Sequence, residues 1–246
     1  LRKQGLTQWK YPWKHKRYYP VIWSSQGVVL NSKTITLKMG RGRKPIILAL
    51  PMVLEQVNRA ELVYKDGKYY LNCAVTEIVD KPVRPGTKLA AIDMGEIHAM
   101  TITDGSEAVI ITGRALRAVK QYRTKRLAGI QEAMSRCSKY SRRWKKLLKT
   151  KRRLQAKTRR QILDLNHKIT RQTTNWCVEK GIGKVVVGDL DGIQRNTSPK
   201  KKNNPKRKRR SKKVNQKINQ WEFRKQTQLL KYKLARQGIK LRLWVA

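Results

Sequence analysis

Apolar positions along this chain follow two rhythms. From about residue 20 to residue 112 they come in short runs divided by Gly, Pro, Asn and Asp, a pattern that predicts strands. Residues 28–30, 34–37 and 46–50 are three such runs, with Gly40, Gly42 and Pro45 as punctuation. Residues 60–64 and 69–76 flank Asp66-Gly67, the clearest hairpin signal in the chain. Together these short strands predict a small barrel or a bent sheet. Residues 89–92, 97–103 and 108–112 follow, with Asp104-Gly105 as a tight turn, and predict an antiparallel meander. The first of these, Leu89-Ala90-Ala91-Ile92, reads as a buried strand closed by one carboxylate, Asp93.

From Gly113 the rhythm changes to steps of three and four. Leu116, Val119, Leu127, Ile130 and Met134 predict a helix over residues 115–134, and residues 137–141 break it. Trp144, Leu147, Leu148, Leu154, Ile162, Leu165, Ile169 and Trp176 then resume helical spacing. The prediction is a long helical hairpin over residues 114–180 with one narrow apolar seam. Its second helix should run about 50–60 Å at 1.5 Å per residue. A further strand run, residues 181–187, ends in Gly188-Asp189-Leu190. Residues 215–232 predict a last helix with Ile218, Trp221, Leu229 and Leu230 as candidate buried positions. Trp221 and Phe223 are expected to pack on a sheet rather than on bases.

Charge changes this picture more than composition does. Lys and Arg number 59 against 15 acids, a net charge of +44. A compact chain with that charge repels itself and is expected to carry a polyanion. Nucleic acid is the leading partner. A membrane surface is the weaker one, since no run approaches the ~20 apolar residues a bilayer span needs. The apolar fraction, 39%, lies below the usual ~45–50% but is clustered enough to build cores. A length of 246 residues allows one large or two modest domains. The chain starts at Leu1, so its beginning is expected to be incomplete, and no signal peptide is visible. Cys73, Cys137 and Cys177 are far apart and form no zinc pair, which suits a reduced, cytoplasmic setting.

The cations are concentrated in three places. Residues 142–160 hold no acid at all. There Arg142, Arg143, Lys145, Lys146, Arg152, Arg153, Arg159 and Arg160 should line a rod that contacts phosphates without reading sequence. Ten of the fourteen residues 200–213 are Lys or Arg, with Lys206, Arg207, Lys208, Arg209 and Arg210 the densest stretch. Phosphate pairing is the expected use, and a solvated run is the alternative. Residues 9–23 interleave tryptophans and tyrosines with Lys10, Lys14, Lys16 and Arg17. The cations suit phosphates, and the rings suit either base stacking or the core of the small β unit.

A carboxylate at a buried strand end is unfavourable unless it is paired or holds a metal. Asp93 therefore reads either as a divalent-metal ligand or as a turn cap. Glu96 and His98 lie near it in sequence, while His15, His98 and His167 form no cluster. Asp189 ends a second strand. A meander whose first strand ends in Asp93, a helical crossover, and a strand ending in Asp189 match the order of a ribonuclease-H-like fold. In that fold carboxylates at neighbouring strand ends share Mg²⁺, which takes oxygen ligands and keeps its waters.

AIDMGEIHAMTITDG and KVVVGDLDGI resemble the first two RuvC segments of the TnpB proteins of small insertion sequences and of their relatives, the compact type V CRISPR effectors. NQKINQWEFRKQTQLLKYKLARQGIKLRL resembles that family's following helix and strand. YPWKHKRYYPVIW and AELVYKDGKYYL resemble its oligonucleotide-binding wedge domain. The resemblance covers nearly the whole chain. It implies an α/β (α+β) fold: a wedge- or OB-like β-barrel over residues 1–85, then a RuvC domain over residues 86–246 with the basic hairpin inserted. It implies an RNA-guided DNA endonuclease that binds a guide RNA and target DNA in a prokaryotic cytoplasm and cuts by two-metal hydrolysis. Asp93 and Asp189 would be the catalytic, metal-binding residues, with Mg²⁺ as the ion and Mn²⁺ as a substitute. Many relatives carry Glu at the place of Gly188, and a Gly-Asp pair stands there in one branch. The family continues into a zinc ribbon and a third acidic motif where this sequence stops at Ala246. Zn²⁺ is therefore not expected here, and a binder that does not cut is the alternative. A general basic RNA-binding protein is a third.

Overall fold

The computed structural model describes residues 18–65, 67–76, 86–190, 193 and 211–244. The chain divides into two compact units, Leu1–Ile78 and Val79–Ala246. Residues 80–86, with Pro82 and Pro85, read in the sequence as a linker into the second domain, and of these only Gly86 is among the described residues.

The first unit is built from β1 (Val21–Ser24), β2 (Val28–Asn31), β3 (Thr34–Leu37), β4 (Ile46–Ala49), β5 (Arg59–Lys65) and β6 (Lys68–Ala74). The hairpin of β5 and β6 closes with Lys65 opposite Lys68, and Gly67 takes a φ of +83°, as a two-residue turn demands. The expected barrel does not close among the described residues. Two separate three-stranded antiparallel sheets form instead, ordered β1-β5-β6 and β2-β3-β4. The reason is local. A 3₁₀ turn, Ser25–Gly27, ends β1 and carries the chain out of its sheet before β2 begins. Trp23, Ile35, Leu37, Val57 and Ala60 are the buried core of this unit. The indole N–H of Trp23 donates to the carbonyl of Lys38 at 2.6 Å, so this ring is a core residue and not a stacking platform.

The second unit begins with the meander β7 (Lys88–Asp93), β8 (His98–Thr103) and β9 (Ala108–Thr112). Asp104-Gly105 makes the expected turn, with Gly105 at φ +94°. The helices α1 (Arg114–Ser135) and α2 (Arg142–Glu179) return the chain to β10 (Ile182–Gly188). Then α3 (Lys212–Gln220) and α4 (Phe223–Arg236) lead to β11 (Lys240–Trp244). The sheet order is β9-β8-β7-β10-β11. β7 and β11 both run parallel to β10, and β8 is antiparallel to its neighbours. β7 reaches β10 through β8, β9, α1 and α2, and β10 reaches β11 by way of α3 and α4, because parallel neighbours need long crossover connections. Glycines at 86 and 183 let the starts of β7 and β10 approach, because a Cβ at Gly183 would sit 1.8 Å from the carbonyl oxygen of Gly86.

Three expectations needed correction. Residues 89–92 read as a strand buried on both faces, but only Ala90 and Ile92 are buried, while Leu89 is 53% exposed. Burial alternates along β7, with Ala90 and Ile92 buried and Leu89, Ala91 and Asp93 exposed among the described residues. Residues 215–232 are two helices, not one. Trp221 and Phe223 both enter the core, as expected, and two residues of a single helix at that spacing could not face one way. The extended backbone of Trp221 (φ −78°, ψ 132°) makes the break that allows it. The seam of the long hairpin is also more polar than predicted. Thr158, Asn166, Thr170, Thr173 and Thr174 of α2 are all buried. The threonine hydroxyls donate to carbonyls one turn back, so burial leaves none of these five hydroxyls or amides bare. No helix among the described residues is long and apolar enough to cross a membrane.

Candidate active site and nucleic-acid surface

The two candidate carboxylates come from adjacent parallel strands. Val187 of β10 stands beside Ile92 of β7, and both side chains are buried against the helices. Alternation then turns Asp93, the last residue of β7, onto the solvent face, where it is exposed. Its ladder partner on β8 is Thr101. The next rung of β10 is Gly188, which stands beside Trp244 of β11. Asp189 follows one residue later, exposed, with its backbone N–H donating to the Trp244 carbonyl at 2.8 Å.

A one-residue offset inside a strand would put Asp189 on the opposite face from Asp93. β10 ends at Gly188, however, so Asp189 is not bound by the strand's alternation. Gly188 places no side chain between the two acids. Both carboxylates therefore terminate strands at one end of the sheet.

The neighbouring acid behaves differently. Glu96 lies 3.1 Å from the Arg117 guanidinium and 3.9 Å from the Lys217 ammonium. Among the described residues no cation pairs with Asp93, in a chain with 59 of them. An exposed carboxylate left without a cation in so basic a molecule suits a hard divalent ion with oxygen ligands. No group of three His, Cys, Asp or Glu that could hold a metal forms among the described residues. His98 opens β8 opposite Thr112, away from any such group.

The basic rod is present in full. α2 has 38 residues, about 57 Å at 1.5 Å per residue. Ser141 caps it, accepting from the Trp144 N–H at 3.2 Å. Arg142, Arg143, Lys145, Lys146, Arg152, Arg153, Arg159 and Arg160 are all exposed. Its first turn contains no acid, the reverse of what the helix dipole favours. Lys10, Lys14, Lys16 and Arg17, and Lys206, Arg207, Lys208, Arg209 and Arg210, lie outside the described residues.

Two features were invisible in the sequence. Lys120 on α1 is 7% exposed. Its ammonium donates to the Gln220 carbonyl at 2.5 Å and sits 4.8 Å from the centroid of Trp221. Burial pushes its pKa down to about 8, partly offset by the charge of Glu222. Beside it a cleft of about 510 Å³ opens between α1, α2 and α3, lined by Arg123, Gln131, Gln216 and Glu222 among others. The second feature is a polar chain between α2 and α4. Gln226 donates to Asn166 at 3.0 Å, and Asn166 donates to Glu222 at 2.9 Å. Nothing in the spacing of Gln226 or Lys120 sets them apart from surface residues.

Known proteins bear on this arrangement. The family OrfB_IS605, described as a probable transposase, matches residues 71–194. InsQ of Escherichia coli (strain K12), whose name provisionally assigns it as an RNA-guided DNA endonuclease, is 27% identical over 124 residues. That match covers 50% of this chain and 28% of InsQ. A Cas12f1 chain, solved in a complex with sgRNA and target DNA, superposes with a TM-score of 0.64 at 14% identity. It covers 99% of this chain, which spans 58% of that one. The chain thus spans less than two thirds of either relative, and the structural likeness concerns the fold.

Proposed function

The chain belongs to the OrfB_IS605 family of probable transposases, and on that premise we propose that it is the RuvC-type nuclease core of an RNA-guided DNA endonuclease. In this reading a guide RNA and its target DNA are the partners, and Asp93 and Asp189 hold Mg²⁺. The reading is supported by the parallel pairing of β7, which ends in Asp93, with β10, which is followed directly by Asp189. The sheet order β9-β8-β7-β10-β11, three strands of meander followed by two parallel crossovers, supports a ribonuclease-H-like assignment. The wedge role of the first unit rests on its resemblance and on its small β sheets.

When bound, Mg²⁺ would stabilise charge on the phosphodiester oxygens and lower the pKa of a ligated water. The chain's own part is simpler. Asp93 presents oxygen acceptors without a cation partner among the described residues, and Asp189 adds a second carboxylate beyond the end of the neighbouring strand. Gly188 leaves the space between them open. The exposed cations of α2 hold the nucleic-acid backbone by charge, without reading its bases.

The test is cleavage. The full-length gene product, loaded with its guide, should cut a guide-matched plasmid in Mg²⁺. Asp93→Ala should lower the rate by about 10³-fold or more and leave guide binding within twofold. Undiminished cutting by Asp93→Ala overturns the assignment of the site. A second reading is a guided DNA binder that does not cut. It predicts guide-dependent DNA retention with no nicking by the unmodified protein.

A further inference from the structure

The cleft of about 510 Å³ between α1, α2 and α3 is within the ~300–1,000 Å³ usual for small-molecule sites. Its walls are of two kinds. Leu127 of α1 and Ile162 of α2 are apolar, and Ile162 belongs to the core. Lys120 and Arg123 of α1, and Glu222 just ahead of α4, bring charge of both signs to the same space. The nuclease reading uses none of these groups.

Glu222 is positioned by side chains that see no solvent. Asn166 and Gln226 are both fully buried. Gln226 donates to the Asn166 carbonyl oxygen at 3.0 Å, which fixes the Asn166 amide, and Asn166 donates to Oε2 of Glu222 at 2.9 Å. A buried amide pair that ends on a carboxylate sets where that carboxylate points. Glu222 does not serve its own helix with it. It is the N-cap residue of α4, yet its side chain caps no N–H there. Oε1 has no partner among the described residues, and no cation among them forms an ion pair with Glu222.

Opposite charges around one cleft select its occupant. A phosphate is repelled by Glu222, and a free cation by Lys120 and Arg123. A neutral ring whose edge sets donors beside an acceptor suits both sides. The Watson–Crick edge of guanine carries two adjacent donors, N1–H and N2–H, and then the acceptor O6. Adenine, cytosine and uracil each carry one donor group on that edge. Two adjacent donors match the two oxygens of a carboxylate.

We propose that this cleft binds one unpaired guanine, with N1–H and N2–H donating to Glu222, O6 accepting from Arg123, and the ring between Leu127 and Ile162. Base pairing occupies the same edge in a duplex, so the guanine belongs to a single-stranded segment, of RNA or of DNA, or to a free nucleotide. This site rests on the nucleic-acid-binding part of the reading above and not on cleavage.

The experiment uses the full chain at about 0.3 M salt, where phosphate contacts are weakened. The probes are oligo-U strands with one central guanosine, inosine or adenosine, and the matching oligo-dT strands. Inosine lacks only the N2 amine. The guanosine strand should bind about tenfold tighter than the inosine or adenosine strand, the loss expected for one hydrogen bond to a carboxylate. Glu222→Gln, which keeps an acceptor for Asn166, should remove that preference and leave plain oligo-U binding within about twofold. If Glu222→Gln does not fold, Leu127→Trp, which fills the cleft from its half-buried wall, should remove the preference instead. Equal binding of the guanosine and inosine strands by the unmodified protein overturns the proposal, and so does a preference that survives in either folded variant. A preference confined to the oligo-U series identifies RNA as the source of the guanine, and one confined to the oligo-dT series identifies DNA. Free GMP that binds as tightly as the guanosine strand identifies the nucleotide itself. A protein that cuts guided DNA yet shows no guanine preference loses this site alone. An Asp93→Ala variant that stops cutting leaves it standing.

Discussion

The two ends of α2 obey opposite rules within one helix. From Arg142 to Lys157 the cations face solvent and no acid interrupts them. From Thr158 to Cys177 the helix buries Thr158, Ile162, Asn166, Ile169, Thr170, Thr173, Thr174 and Cys177. Those positions recur every three or four residues, so they form one stripe, pressed against the sheet and α4. The inner end is held by packing. The outer end is built against its own dipole and contributes nothing to the core. A helix segment that is unfavourable at its first turn and turns most of its cations to solvent has its use in what those cations touch.

Breaking the outer end should produce the largest effect. Replacing Arg142, Arg143, Lys145, Lys146, Arg152 and Arg153 together by Gln should lower nucleic-acid affinity about 10²–10³-fold near 0.1 M salt. The slope of log affinity against log salt should become shallower by up to about 5, at roughly 0.9 per lost phosphate contact. Thermal stability should hold or rise by about 1–3 °C, because first-turn cations oppose the dipole. An unchanged slope would show that α2 is not the contact surface. Ile169→Ala at the inner end tests the opposite rule. Ile169 is buried in the core cluster, so the loss should be about 2–4 kcal/mol of stability, read as a lower urea midpoint with an unchanged m-value. The salt slope of whatever remains folded should not move. A variant that loses binding and keeps its stability would place this end in the interface instead.

The same contrast explains what the sequence could show. The outer end was legible, because an acid-free basic run declares itself without any knowledge of the fold. The strands of the meander and their turn at Gly105 were legible too, since period and turn chemistry are local. Asp93 and Asp189 were legible as strand ends, but their neighbourhood was not. Val187 pairs with Ile92, so Asp93 lies one residue past that rung and Asp189 two, an offset that belongs to the pairing of β7 with β10 and to neither segment alone. Among the described residues the expected barrel does not close, for a related reason. Closure is decided by which strand edges meet, and the 3₁₀ turn at Ser25–Gly27 that separates the sheets looks like any short loop. The inner seam was misread because threonine counts as polar in a pattern. In α2 its hydroxyl is satisfied by the helix itself, which leaves a methyl group to pack.

Lys120 sharpens the contrast, since it is a cation that follows the inner rule. It is buried under Trp221, and its pKa of about 8 lies below the ordinary 10.5. Below pH 8 the lysine is charged in both folded and unfolded chains, and the folded state bears the full penalty of burying that charge. As pH rises from 8 to 10.5 the folded protein loses the proton first, so the penalty fades and this residue's contribution to stability increases. Lys120→Met removes the titration. The stability difference, variant minus unmodified protein, should therefore be most favourable to the variant below pH 8. It should fall by on the order of 1–3 kcal/mol by pH 10.5, as followed by urea unfolding at each pH. The bond to Gln220 adds only a constant offset while the lysine stays charged, so the slope is the readout and not the sign at one pH. A difference that does not change with pH would mean that water reaches the ammonium, and that Lys120 belongs with the solvated cations of α2 after all.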